Sequence, residues 1–291
     1  MAAVIVSRGG FCMRRVMTSA IVLALVAAAR PAAGQTPAPG QRTGPEPFGI
    51  ADNSFLVEEA FNQEPGIFQN IVNITRLADK WGFAFTQEWP VRSQAHQFSY
   101  TISFLDGIDK FGAGDTLINY RYQALSEGPG RPAFSPRASL VLPTGNTTER
   151  RGEGSYGLQI NLPFSKQFND TYLHWNAGFT WLPAAERPDS TAGEDDDENL
   201  LSPFVSLSAI YRLRPMFHLM LEQVVLFGES LADVSGTTRD TAYTLSPGFR
   251  AGWNVGDKQI VGGFAVPVTW VDGSSDVGVF LYFSYELPFR K

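Results

Sequence analysis

The chain has 291 residues, a single cysteine and a formal charge of −6 at pH 7. Apart from one short stretch near the front, no long apolar run occurs, and mean hydropathy is −0.09. That excludes a helical membrane protein, which needs spans of about 20 apolar residues. It leaves open a β-barrel, whose hydrophobicity is hidden in alternation.

The front end reads as a secretory signal peptide over 1–34. Arg14 and Arg15 precede the uncharged run Val16 to Ala29, and small residues at Ala32, Ala33 and Gly34 suit a signal peptidase. Removing this segment takes away Arg8, Arg14, Arg15 and Arg30 and no acid, so the formal charge moves from −6 to −10. No basic patch survives, which argues against nucleic acid as a partner. Cys12 leaves with the signal, so the mature chain has no disulfide. Residues 35–47 are rich in Pro, Gly, Gln and Thr and read as a flexible lead-in. Residues 48–66 are expected as an N-terminal segment or a plug of the fold that follows, with Asn53 able either to cap a short helix or to start a short strand. Pro65-Gly66 then turns the chain.

From Ile67 onward the sequence predicts an all-β fold. Twelve strands are expected, over 67–77, 81–91, 97–106, 114–125, 134–142, 155–163, 170–182, 201–213, 215–227, 240–252, 259–270 and 277–289. In the third, Phe98, Tyr100, Ile102 and Phe104 alternate with Gln97, Ser99, Thr101 and Ser103. In the seventh, Leu173, Trp175, Ala177, Phe179 and Trp181 alternate with a polar set that includes His174 and Asn176. In the last, Val277, Val279, Leu281, Phe283 and Tyr285 share one face, and Ser284 and Glu286 the other. A period of two is the strand period. Strands of this length suit a tilted bilayer crossing.

Loop lengths follow the same logic. If Ile67 starts at the periplasm, the odd-numbered connections face outward. Three of them, 143–154, 183–200 and 228–239, are the longest in the chain. Short inner turns and long outer loops are the asymmetry of an outer-membrane barrel. The exception is the even-numbered connection 126–133. The six tryptophans sit mostly near strand ends, where a bilayer interface favours them. The fold expected over 67–291 is therefore a transmembrane antiparallel up-and-down β-barrel of about twelve strands.

Three short stretches resemble a known group. They are Phe111-Gly112-Ala113-Gly114-Asp115, leading into Asn119-Tyr120-Arg121-Tyr122; Leu140-Val141-Leu142-Pro143-Thr144-Gly145; and Gly152-Glu153-Gly154-Ser155. They resemble the outer-membrane transporters of the phenol-degradation-pathway type. The resemblance covers roughly Phe48 to the C-terminus. It implies an outer-membrane barrel and uptake of small, often hydrophobic compounds. One departure is that Arg290 and Lys291 follow the aromatic Phe289, where many such barrels end on the aromatic.

Charged residues at inward strand positions are the candidate site. Glu88, Arg121, Arg137, Arg212, Glu222, Arg250 and Glu286 fall on the less apolar faces, and His174 joins them. An Arg or Lys facing lipid at mid-depth costs about 2–4 kcal/mol, so these side chains are expected to line the lumen. They either bridge a narrow barrel as structure or select a solute. On the same reasoning Leu281→Arg should destabilise the barrel, and Ser284→Arg should be milder if the lumen holds water.

The remaining motifs favour plain readings. Leu142-Pro143-Thr144-Gly145 is a strand end running into a turn. The Asn-x-Thr triplets at Asn73, Asn146 and Asn169 carry no weight in a bacterial outer-membrane protein. The acidic run Glu194 to Glu198 reads as a solvated loop, with cation binding as the rarer alternative. His96, His174 and His218 have no nucleophile motif beside them, so no catalytic, metal or cofactor site is expected.

The reading reached is a monomeric outer-membrane channel or transporter, not an enzyme. Its partners are outer-membrane lipid, lipopolysaccharide and a small-molecule solute. The alternatives are a barrel with a structural or adhesion role, and a secreted soluble β protein.

Overall fold

The computed structural model describes residues 49–50, 52–187, 197–232, 235–256 and 258–289. The segments read as signal peptide and lead-in lie outside the described residues, as do Glu194, Asp195 and Asp196 of the acidic run.

Fourteen segments follow in chain order. They are β1 (Ile67–Leu77), β2 (Lys80–Val91), β3 (Ser93–Asp106), β4 (Phe111–Tyr122), β5 (Ala133–Phe134), β6 (Arg137–Leu142) and β7 (Gly157–Phe168). Then come β8 (Thr171–Ala185), β9 (Glu198–Arg214), β10 (Phe217–Leu231), β11 (Thr237–Val255), β12 (Lys258–Ala265), β13 (Val268–Val271) and β14 (Ser274–Pro288). All pairings are antiparallel, and β1 pairs with β14 from Ile67 opposite Pro288 to Leu77 opposite Gly278. That ladder closes the sheet. β5 with β6, and β12 with β13, are each one wall strand in two pieces, so the barrel has twelve strands. Among the described residues there is no helix.

Both breaks fall at prolines, Pro136 and Pro267, which have no N–H to give to a ladder. Their carbonyls are still used. Tyr122 donates to Pro136 O at 3.0 Å and Gly278 to Pro267 O at 2.7 Å. The β13–β14 hairpin turns on Asp272-Gly273, with φ of 48° and 80°. Two positive φ values make the turn whose twist matches a strand pair.

Alternation decides which side chains face out of the barrel. Leu140, Leu158, Leu207, Leu221, Leu281 and Phe283 are exposed on the outer surface, as are Trp81, Trp181, Trp253 and Trp270 toward strand ends. Ser139, Asn161, Ser208, Glu222, Tyr282 and Ser284 are buried on the other face.

The long connections differ from those expected. Strands β8 to β11 run on past the apolar belt, so 183–200 shrinks to 186–197 and 228–239 to 232–236. The loop at 143–156 is slightly longer than expected. The inner connection 123–132 is folded back on itself, with Leu125 bridging Phe134 and Gly128 bridging Arg131. Its Glu127 accepts from Lys166 Nζ at 3.1 Å and from the Gln167 amide at 2.9 Å.

The interior is occupied. Gly49 enters beside Pro215 and Gln259 at the inner end. The chain rises to Leu56 and Val57 at Glu222 and returns to Gly66, which meets Phe289. Its described residues from 53 to 62 form bends, neither the helix nor the strand considered from sequence. Ile50, Phe55, Leu56 and Val57 join Ile71, Ile210, Met220, Val224, Val261 and Phe280 in an apolar cluster within the barrel.

Candidate functional site in the barrel interior

A chain that crosses a barrel without joining its ladder must find other partners for its amides. An amide buried without one costs about 1–3 kcal/mol. Here side chains of the wall supply them. Glu222 Oε1 accepts from the Leu56 and Val57 amides at 2.9 and 3.1 Å. Asn176 accepts from the Glu58 amide at 2.8 Å and donates to Glu58 O at 2.9 Å. Ser165 Oγ accepts from the Ala60 amide at 2.7 Å, and Gln97 Oε1 from the Gln63 amide at 2.6 Å. Gln123 donates to Ala60 O at 2.8 Å. Ser54 Oγ lies 3.1 Å from Ser208 Oγ.

Charge is matched as well. Asp52 accepts from Gln69 Nε2 and Tyr282 OH, each at 2.6 Å, and from Ser284 Oγ. Arg250 donates to the carbonyls of Asp52 and Asn53 at 2.5 and 2.8 Å and lies 3.5 Å from Glu59. Arg121 donates to Asn62 Oδ1 at 2.9 Å and to Glu59 O at 3.2 Å. Arg137 Nε sits 2.8 Å from Glu58 Oε1, while its terminal nitrogens are held by Asn119 at 2.9 Å, Gln159 at 2.8 Å, and Ser139. Phe55 stacks on Phe280 and Tyr282 at centroid distances of 5.4 and 5.1 Å.

The structure places the sequence-flagged residues as follows. Glu88, Arg121, Arg137, His174, Glu222 and Arg250 are buried inside the barrel. Glu88 and Arg121 come within 3.9 Å of each other. Most of the others are linked through residues 52–63 and not directly. Glu286 is half-buried and accepts from Gln63 at 3.2 Å. Arg212 stands apart at the inner rim, on Asp170 at 2.5 Å.

Reading charges alone missed Asp52, Glu58 and Glu59, because the segment they lie on has no period. It also missed His218, which Arg250 Nε meets at 3.2 Å. The neutral partners Gln97, Asn161, Asn176 and Ser165 could have been found. They occupy the polar positions of alternating strands.

His174 does meet a serine. Its Nδ1 lies 2.7 Å from Ser165 Oγ, and its Nε2 lies 3.7 Å from Glu59 Oε1. This has the membership of a nucleophile–base–acid set. It lacks access, because Ser165 is fully buried and its oxygen is engaged by the Ala60 amide. Of the three, Ser165 holds the segment backbone, and His174 lies between it and Glu59.

A cavity of about 70 Å³ lies over the apex of the segment, bordered by residues 53–58 and by the walls of β1 to β4, β6, β7 and β14. Its lining includes the polar Arg137, Asn119 and Gln159 and the apolar Ile71 and Leu117. Among the described residues no group of His, Cys, Asp and Glu is arranged to hold a metal ion.

In the comparison with solved structures, the chain is similar to an outer membrane channel from Pseudomonas putida F1, with a TM-score of 0.61 and 11% identity over 78% of this chain and 98% of that one. It also matches the NanC porin, with a TM-score of 0.45 and 10% identity over 76% and 100% of the two chains. A third match is the CymD monoaromatic hydrocarbon channel, with a TM-score of 0.38 and 12% identity over 79% and 90%. No protein-family model matches the chain, and no curated protein matches it in sequence. The first likeness concerns the fold. With the closed twelve-strand wall, it makes the fold an antiparallel β-barrel of the kind that channel has.

Proposed function

We propose that the protein is a plugged channel that admits a small, partly apolar solute, with residues 48–66 as the plug. The observation that carries this reading is the way the segment is held. Its amides are bound one at a time by side chains of separate strands, and no continuous ladder ties it to the wall. A segment held so can leave without opening the barrel. The inward arginines and glutamates then line the path and bias which solutes pass, since charges in a low-dielectric wall focus the local field. The barrel works as a monomer, with lipid and lipopolysaccharide around its apolar belt, and does no covalent chemistry. The apolar residues of the cavity and of the Phe55 cluster favour solutes with a hydrophobic part, the class that the resemblance also implies.

The test uses the absence of cysteine from the mature chain. Ser54 and Ser208 have their hydroxyls 3.1 Å apart, close enough for a disulfide once both are cysteine. In planar bilayers the S54C/S208C protein should stay closed when oxidised and open when dithiothreitol is added. Equal conductance in both states would remove the plug from gating. No conductance in either state would leave a structural barrel.

A further inference from the structure

We infer that the cavity over the plug apex is a carboxylate-exchange site, in which an organic anion with an apolar body replaces the Glu58 carboxylate on Arg137. The binding half stands on geometry alone. The consequence, loosening of the plug, rests on the channel reading above.

Arg137 is a prepared anion receptor. Asn119, Gln159 and Ser139 hold its terminal nitrogens, and none of the three belongs to the plug. The guanidinium therefore keeps its orientation when Glu58 leaves. Its Nε edge faces Glu58, with Oε1 at 2.8 Å and Oε2 at 2.9 Å. Asn161 Nδ2 gives a further bond to the same carboxylate. These donors do not distinguish the plug's carboxylate from a free one.

The main chain of Glu58 is fixed separately, by Asn176 on both its N–H and its C=O. The side chain can thus exchange before the backbone moves. Glu58 borders the cavity, so the displaced carboxylate has open space beside it.

Size and charge together set the solute class. A cavity of about 70 Å³ admits a few waters and no organic solute while the Glu58 side chain stays in place. Entry and displacement are one event. A neutral solute that pushed Glu58 aside would strand a buried guanidinium, which is strongly unfavourable. A carboxylate replaces like with like. Ile71, Leu117 and Val57, which also line the cavity, would cover an aliphatic or aromatic body.

Losing Glu58 also loosens the plug. The apex then loses its ion pair with Arg137 and keeps its bonds to Asn176 and Glu222 and the Arg250 bond to Asn53 O. In this picture the plug acid imitates the cargo that replaces it.

The probes are benzoate and its neutral counterpart benzyl alcohol, titrated calorimetrically into the purified mature protein in detergent. Benzoate should bind the native protein. It should bind E58Q about tenfold tighter, because the internal competitor has lost its charge. Benzyl alcohol should bind weakly to both alike. R137Q should lose benzoate binding, and heat-modifiable gel migration shows whether that variant is folded. If it is not, the E58Q comparison decides alone. Equal benzoate affinity for native protein and E58Q, or benzyl alcohol binding as tightly as benzoate, would overturn the site.

Plug coupling is read from the rate at which a single S54C variant reacts with a bulky thiol reagent. Benzoate should speed it several-fold and benzyl alcohol should not. Bound benzoate with an unchanged rate would sink the coupling. Benzoate binding in a barrel that never conducts would overturn the channel and spare the site. Conductance without benzoate binding would do the reverse.

Discussion

Gly263 carries no side chain where the ring of Phe55 needs the room. A Cβ there would stand 2.1 Å from Phe55 Cζ. Phe55 is backed by Phe280 and Tyr282, so it has nowhere to shift within the plugged barrel. Gly263→Ala should therefore push Phe55, and the apex with it, out of place, at an overpacking cost of about 1–3 kcal/mol. The S54C labelling rate should rise in that background while the barrel still shows heat-modifiable migration. An unchanged rate would mean that the plug is not wedged by this ring. Ser284 changes meaning in a similar way. From sequence, Ser284→Arg is milder than Leu281→Arg if the lumen holds water. In the structure Ser284 donates to Asp52 in a filled interior, and Leu281 is exposed on the lipid side. Leu281→Arg should cost about 2–4 kcal/mol, and Ser284→Arg should do comparable damage by expelling Asp52. Urea-dependent refolding into vesicles measures both. A near-silent Ser284→Arg would mean that the plug is mobile enough to make way.

At the scale of elements, the three resemblance stretches prove to be one structure. Gly114-Asp115 forms a bulge where β4 loses register with β3 between Ile102 and Phe104. Asp115 Oδ1 accepts from the Gly145 amide at 2.9 Å, and Thr144 Oγ1 donates to Gly114 O at 2.8 Å. Gly152 packs so closely on Asp115 that a Cβ would meet Oδ1 at 2.4 Å. The 143–156 loop is thus pinned to the outer end of β4. Asp115→Ala should release it, and trypsin added to intact cells should then cut at Arg150 or Arg151 faster than in the native protein. Equal cutting would show that the remaining bonds hold the loop. The strands were readable because each alternates one lipid face with one interior face. Their outer extensions, such as Glu198–Leu200 and Thr237–Arg239, were not readable. Beyond the bilayer no apolar face is required, and the period that marks a strand disappears. The segment 48–66 was expected as an N-terminal segment or plug, but its conformation and its partners were unreadable, for the opposite reason. It follows no period, and its partners lie far along the chain, as Ser208 does from Ser54. The charged half of the site was legible as inward charge. What the charges were for was not, since Glu58 and Glu59 sit outside every strand.

For the whole molecule, the governing fact is closure. β1 and β14 share a full ladder, so the wall has no free edge. The plug depends on that closure more than any strand does. Its partners Gln97, Ser165, Asn176, Glu222, Arg250 and Ser284 come from β3, β7, β8, β10, β11 and β14. No subset of neighbouring strands presents them together. The segment precedes every wall strand in the chain, yet its partners run to the last of them. The full set of partners for the segment exists only when β14 has closed the wall onto β1. The segment thereby reads the register of the closed wall, because a ladder shifted between β1 and β14 would move Ser284 and Tyr282 away from the Asp52 carboxylate that they hold.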